Sequence, residues 1–130
     1  MPIIDIPKKI LSRKEEITAD FLELVEVHIK ELLEGRTSKR YSSSDFAKKL
    51  FIHPRHLTNT IKLTINTSPC DIMENRLVHE AQVLLKDNNY SIAEIGTRLG
   101  YTEATNFTKF YKGMTGSTPL QYRKQFLDSV

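Results

Sequence analysis

Ile17, Phe21, Leu24, Val25 and Leu32, with His28 in register, recur at the spacing of one face of a helix. Ser12 followed by Glu15 is a capping-box signature that predicts where this amphipathic helix starts, and Gly35 predicts where it stops. Residues 36–44 are polar and serine-rich, carry Lys39 and Arg40, and read as a loop. Shorter helical patterns follow at 45–51, with Phe46, Ala47 and Leu50, and at 54–63, opened by Pro54 where a first helical turn tolerates proline. The pattern over 69–86 is longer, with Ile72, Met73, Leu77, Ala81, Leu84 and Leu85 on one side. Alternation of the strand type never persists beyond a few residues, so the chain is expected to be all-α.

The pattern then restarts. A shift of 49 residues lays Phe46, Ala47, Leu50 and Ile52 on Ile95, Gly96, Leu99 and Tyr101. A shift of 50 lays Leu57, Ile61 and Lys62 on Phe107, Tyr111 and Lys112, and the run from Asn66 to Pro69 on that from Gly116 to Pro119. Asn66 and Gly116 are residue types that accept a left-handed backbone and so predict equivalent helix ends. Ser68-Pro69 and Thr118-Pro119, with Asp71 and Gln121 three residues after each hydroxyl, predict equivalent helix starts. Two copies of helix, tight turn, helix are therefore expected, each a homeodomain-like three-helix unit, joined by a linker helix over 69–86. At 1.5 Å per residue that linker spans roughly 27 Å, comparable with the ~34 Å between successive major-groove faces of B-DNA. The expected divisions are an N-terminal segment over 1–40 whose helix packs on the first subdomain, the first helix-turn-helix over 41–68, the linker over 69–87, and the second helix-turn-helix with a C-terminal helix over 88–127.

Composition narrows the function classes. The 130 residues, 39% hydrophobic and 27% charged, suit one compact domain or two small ones, with no room for a separate large ligand-binding domain. Neither a leader pattern nor a run of roughly 18 apolar residues occurs, which points to an intracellular protein without a membrane partner. The lone Cys70 forms no internal disulfide and supplies too few soft ligands for structural zinc. The net charge is only +3, but residues 1–36 hold six Lys and Arg against eight Asp and Glu, net −2, while the remainder hold thirteen against eight, net +5. The basic excess sits where the repeats are.

In a helix-turn-helix a small residue in the first helix lets the second cross closely, and the second presents short polar and basic side chains to the major groove. Ala47 and Gly96 hold the small position. With Leu57 and Ile61 turned inward, Arg55, Thr58, Asn59 and Lys62 remain for the outer face of the first recognition helix; with Phe107 and Tyr111 inward, Thr105, Asn106, Lys109 and Lys112 remain for the second, over 103–112. Arg55 suits guanine, Asn59 and Asn106 suit adenine, Thr58 and Thr105 suit a hydroxyl partner or a thymine methyl, and the three lysines suit phosphates.

The ordered residues Tyr90-Ser91-Ile92-Ala93-Glu94-Ile95-Gly96, Leu99-Gly100-Tyr101, Asn106-Phe107, Phe110-Tyr111-Lys112, Gly116-Ser117-Thr118-Pro119 and Tyr122-Arg123 resemble the DNA-binding domain of AraC/XylS-family bacterial transcription regulators. The resemblance extends back to Ser42 through Arg76-Leu77, Ala81, Leu84-Leu85 and the run from His53 to Leu57, about two thirds of the chain. It implies two helix-turn-helix subdomains on a long helix that bind double-stranded DNA at promoters in the bacterial cytoplasm, with RNA polymerase as a further partner. A monomer suffices for binding on this reading, and dimerisation is expected if the chain belongs to a longer regulator. Gly96, His53, Asn66 and Ile61 depart from the family's common alanine, serine, glycine and phenylalanine.

Competing readings are blander. His53 and His56 lie three apart, but His53 suits a cap and no carboxylate or thiol is near in sequence, so no metal or cofactor is expected. Lys48 and Lys49 fit a solvated face as well as a phosphate contact, and Phe107, Phe110, Tyr111 and Tyr122 fall in core slots rather than a base-stacking platform. Two alternatives of other classes stay open: a helical protein-interaction module without DNA binding, and an enzyme using Cys70 at a helix N-terminus. The reading favoured is a DNA-binding regulator and no enzyme.

Overall fold

The computed structural model describes residues 12–129, which form seven helices and no strand: α1 (Arg13–Leu33), α2 (Ser43–Lys49), α3 (Pro54–Ile65), α4 (Pro69–Leu85), α5 (Ile92–Arg98), α6 (Ala104–Thr115) and α7 (Pro119–Asp128). Most begin on a side chain that satisfies an orphan backbone donor. Ser42 with Asp45, Ser91 with Glu94 and Thr118 with Gln121 form reciprocal capping boxes. Ser12 Oγ accepts from the Glu15 N–H and Ser68 Oγ from the Asp71 N–H, each at 3.1 Å. The Ser42 box starts α2 inside the stretch 36–44 expected to be loop. At the head of α3 the cap is His53, whose Nδ1 accepts from the Arg55 N–H at 3.0 Å.

Helix ends follow backbone handedness. Asn66 and Gly116 both adopt the left-handed conformation, and their N–H groups close on Lys62 and Lys112 carbonyls at equivalent positions. α1 ends at Gly35, φ 74°, where Arg36 N–H reaches the Glu31 carbonyl and Gly35 N–H the Leu32 carbonyl, the bonding of a Schellman motif.

The chain divides into two compact units. The first takes, of the described residues, 12–27 and 41–72. Ile17, Phe21 and Val25 from α1 are buried with Phe46, Ala47, Leu57 and Ile61; the Phe21 ring meets Phe46 edge-on at 5.3 Å and Tyr41 meets it from another direction at 5.5 Å. Thr18 Oγ1 and Thr64 Oγ1 lie 2.7 Å apart while each is also placed to donate to a carbonyl four residues back, so two hydroxyl protons serve three contacts.

The second unit takes residues 28–40 and 73–129. Its core contains His28, Ile29 and Leu32 from α1, Met73, Leu77, Ala81 and Leu85 from α4, and Ile95, Leu99, Tyr101, Phe107 and Tyr111. Residues 28–40 lie with the second unit; the sequence sets 1–40 apart as a segment whose helix is expected to pack on the first subdomain, and the apolar face of α1 continues past Val25 without a break, so periodicity gives no sign of a division there. The buried Arg123 closes the C-terminal end of α4, its Nε donating to the Leu85 carbonyl at 2.9 Å and its Nη2 to the Asp87 carbonyl at 3.2 Å.

Candidate nucleic-acid interface

Each unit contains the same turn. After α2, Phe51 stands at φ 58°, its N–H on the Lys48 carbonyl and the Ile52 N–H on the Ala47 carbonyl, both 3.1 Å. After α5, Gly100 stands at φ 89°, its N–H on the Thr97 carbonyl at 3.1 Å and the Tyr101 N–H on the Gly96 carbonyl at 2.8 Å. The turn in each case delivers a twelve-residue helix, α3 or α6, across a small residue of the helix before it. A Cβ on Gly96 would stand 3.0 Å from Phe107 Cβ, inside ordinary van der Waals contact, so the missing side chain lets α6 cross close on α5.

The inner slots are occupied as the spacing predicts: Leu57 and Ile61 in α3, joined by Thr60, and Phe107 and Tyr111 in α6 are buried. All eight candidate contact residues, Arg55, Thr58, Asn59 and Lys62 on α3 and Thr105, Asn106, Lys109 and Lys112 on α6, are exposed. Neither helix contains an acid. Glu103, expected to open the α6 helix, instead stands outside it as an N-cap that makes no side-chain cap bond. His56 is a further exposed residue beside Arg55; its position outside the inward register of Leu57, Thr60 and Ile61 is the signal that places it outward.

The aromatic residues form the floor of α6. Tyr101 stacks on Phe110 at 5.5 Å and tilts against Phe107 at 5.7 Å, and Tyr111 meets Tyr122 at 6.2 Å and accepts from Gln82 Nε2 at 3.4 Å. Burial raises the phenol pKa of both tyrosines above the ordinary value: for Tyr101 the Arg40 charge opposes the rise and Glu74 adds to it, and for Tyr111 the Gln82 bond opposes it. These rings are packing, not a stacking platform for bases.

Other candidate chemistry is dispersed. Lys49 Nζ sits 5.3 Å over the Tyr41 ring, and Cys70 is exposed in the first turn of α4. Among the described residues no three His, Cys, Asp or Glu side chains are grouped to hold a metal, and no helix is long and apolar enough to cross a membrane.

Comparison with known proteins gives a consistent result. A family model described as a helix-turn-helix domain matches residues 46–125. The HTH-type transcriptional regulator YfiF of Bacillus subtilis is 30% identical over 105 residues, 81% of this chain and 32% of that protein. The Msm operon regulatory protein of Streptococcus mutans is 26% identical over 97 residues, 75% of this chain and 35% of its own length. The chain therefore spans about a third of these relatives. Among solved structures, an AraC-type regulator from Chromobacterium violaceum superposes with a TM-score of 0.69 at 23% identity, covering 86% of this chain and 93% of that one. The DNA-binding domain of AdpA, solved in complex with a target DNA, superposes with a TM-score of 0.68 at 20% identity, covering 82% and 92%.

Proposed function

Because the chain belongs to the AraC-type helix-turn-helix family, we propose that it binds double-stranded DNA sequence-specifically and regulates transcription, with α3 and α6 as recognition helices. The observation that carries this reading is the pair of exposed, acid-free faces at equivalent positions after two identically bonded turns. A carboxylate there would meet phosphates at a cost, whereas Arg, Asn, Thr and Lys are the types that read base edges and neutralise the backbone. Arg55 pairs with guanine, Asn59 and Asn106 with adenine, Thr58 and Thr105 with a hydroxyl acceptor or a thymine methyl, and Lys62, Lys109 and Lys112 with phosphates. AdpA's DNA-binding domain, which shares this fold, was captured on DNA, and that supports the same use of it here.

On this reading one copy touches two blocks of bases about one helical turn apart. Promoter regulation then brings RNA polymerase into contact with the bound protein in a bacterial cytoplasm. Selection of sites from a random duplex pool, followed by mobility shift of the winners across a salt series, tests the proposal: enrichment of a defined sequence with affinity falling steeply in salt is the expected result, and no enrichment with a flat salt response overturns it.

A further inference from the structure

We propose that Arg40 is a positioning residue for the second recognition helix, holding the turn and the aromatic floor on which α6 rests and thereby setting base choice by α6 without itself contacting phosphate. The inference rests on α6 as a reader of DNA. In the sequence Arg40 is one more cation in a polar loop; in the structure its Nε donates to the Gly100 carbonyl at 3.2 Å and its guanidinium lies 3.8 Å above the centroid of the Tyr101 ring. Gly100 is the left-handed residue of the second turn, and a Cβ there would collide with Arg40 Cγ as well as meet its backbone N at 3.3 Å. The arginine is therefore fitted into the turn itself.

Tyr101 carries the effect onward. It is buried and packs on Phe107 and Phe110, both α6 residues, and Phe107 lies one position after Asn106. A second arginine fastens the same stretch from the other side: Arg98, the last residue of α5, donates from Nη1 to the Leu33 carbonyl at 3.3 Å and stands 4.9 Å over the Tyr90 ring. The end of α1 and the loop after it are thus bonded to both sides of the α5 to α6 turn, across 60 and 65 residues of sequence.

A phosphate contact and a positioning role predict different things. Lysine replaces arginine tolerably as a point charge near phosphate, but it cannot stack flat on a ring and bond a carbonyl at once. The test compares wild type, Arg40→Lys and Arg40→Ala on duplexes selected by the wild type, reading base preference in each block and the salt slope. The expected result is that both variants lose about fivefold or more in discrimination at the α6 block, the scale of one base contact, with the α3 block and the salt slope unchanged. Uniform weakening with a slope smaller by about one, rescued by Arg40→Lys, overturns the proposal, as does an unaltered profile. Failure of the wild type to select any sequence strikes the DNA reading instead, and the clamp is then judged in the free protein. The guanidinium charge opposes the rise in the Tyr101 phenol pKa, so NMR titration of labelled tyrosine in Arg40→Gln, which keeps most of the bulk over the ring and removes the charge, should show Tyr101 ionising at higher pH. An unchanged Tyr101 titration overturns the clamp.

Discussion

Phe51 and Gly100 hold equivalent left-handed positions in the two turns, but Phe51 does so with a Cβ and with 94% of its surface exposed. An L-residue in this region costs about 1–2 kcal/mol, and glycine's greater freedom in the unfolded chain returns about 0.5–1 of that. Phe51→Gly is therefore expected to stabilise the first unit by up to about 1 kcal/mol, visible as a rise of a few degrees in its thermal midpoint. Gly100→Ala should do the reverse, since it meets both the backbone restriction and Arg40. A lower midpoint for Phe51→Gly would show that the aromatic ring makes a stabilising contact.

Leu57 and Phe107 are fully buried inward residues of α3 and α6. Lysine at either site places an unpaired charge in a small core, and each variant is expected to lose at least about 4 kcal/mol and unfold its own unit. Amide hydrogen exchange, read separately over residues 41–72 and 73–129, measures this. Protection retained at wild-type level in the affected unit would contradict the helix faces described above.

Arg123 is the buried donor to the Leu85 and Asp87 carbonyls. Arg123→Met keeps most of the apolar stem while leaving both carbonyls without that partner, at an expected cost of about 2–3 kcal/mol. Chemical denaturation gives the number, and a change under about 0.5 kcal/mol would mean that water replaces the guanidinium without penalty.

Tyr101 and Tyr111 have phenol pKa values raised above 10.0 by burial. The folded protein thus binds these protons more tightly than the unfolded chain does. Their contribution is fully present below pH 10 and is lost as the pH rises through the folded values. Stability should be level with respect to these groups through neutral pH and fall above about pH 10; replacing both tyrosines by phenylalanine should flatten that alkaline fall, which denaturant titrations at several pH values will show.

Arg55→Ala and Lys112→Ala should differ in kind. Loss of a bidentate guanine contact costs about 1–3 kcal/mol and relaxes preference in a single block, whereas loss of a phosphate contact weakens all sequences alike and lowers the salt slope by about one. Base-preference profiles and salt titrations of the two variants measure both, and identical profiles would refute the assigned division of labour.

Much of this architecture is legible in the chain because repetition exposes it. Asn66 and Gly116, Pro69 and Pro119, and Ala47 and Gly96 each serve the same local geometry twice, so one copy interprets the other. The outer faces of α3 and α6 are equally readable, since subtracting the inward register leaves few residues. What escapes depends on partners remote in sequence. Arg40 gives no local sign that it lies on Tyr101, and Leu33 none that its carbonyl meets Arg98. The Ser42 cap is hidden by its surroundings, one serine in a run of three whose only distinction is Asp45 three positions later. Glu103 is not of a type that caps well, so the spacing extends the helix through it, whereas it stands at the N-cap position with no side-chain cap bond.

Because α1 lends residues 13–27 to one unit and 28–33 to the other, neither unit is a contiguous cassette. A fragment starting at Tyr41 would retain α3 and α6 while stripping Ile17, Phe21 and Val25 from the core of one unit and His28, Ile29 and Leu32 from that of the other. Shuffling between relatives carries the same hazard: a graft of residues 88–127 inherits the recognition surface but not its foundation, and a successful chimera must transplant residues 28–40 and 73–87 along with it.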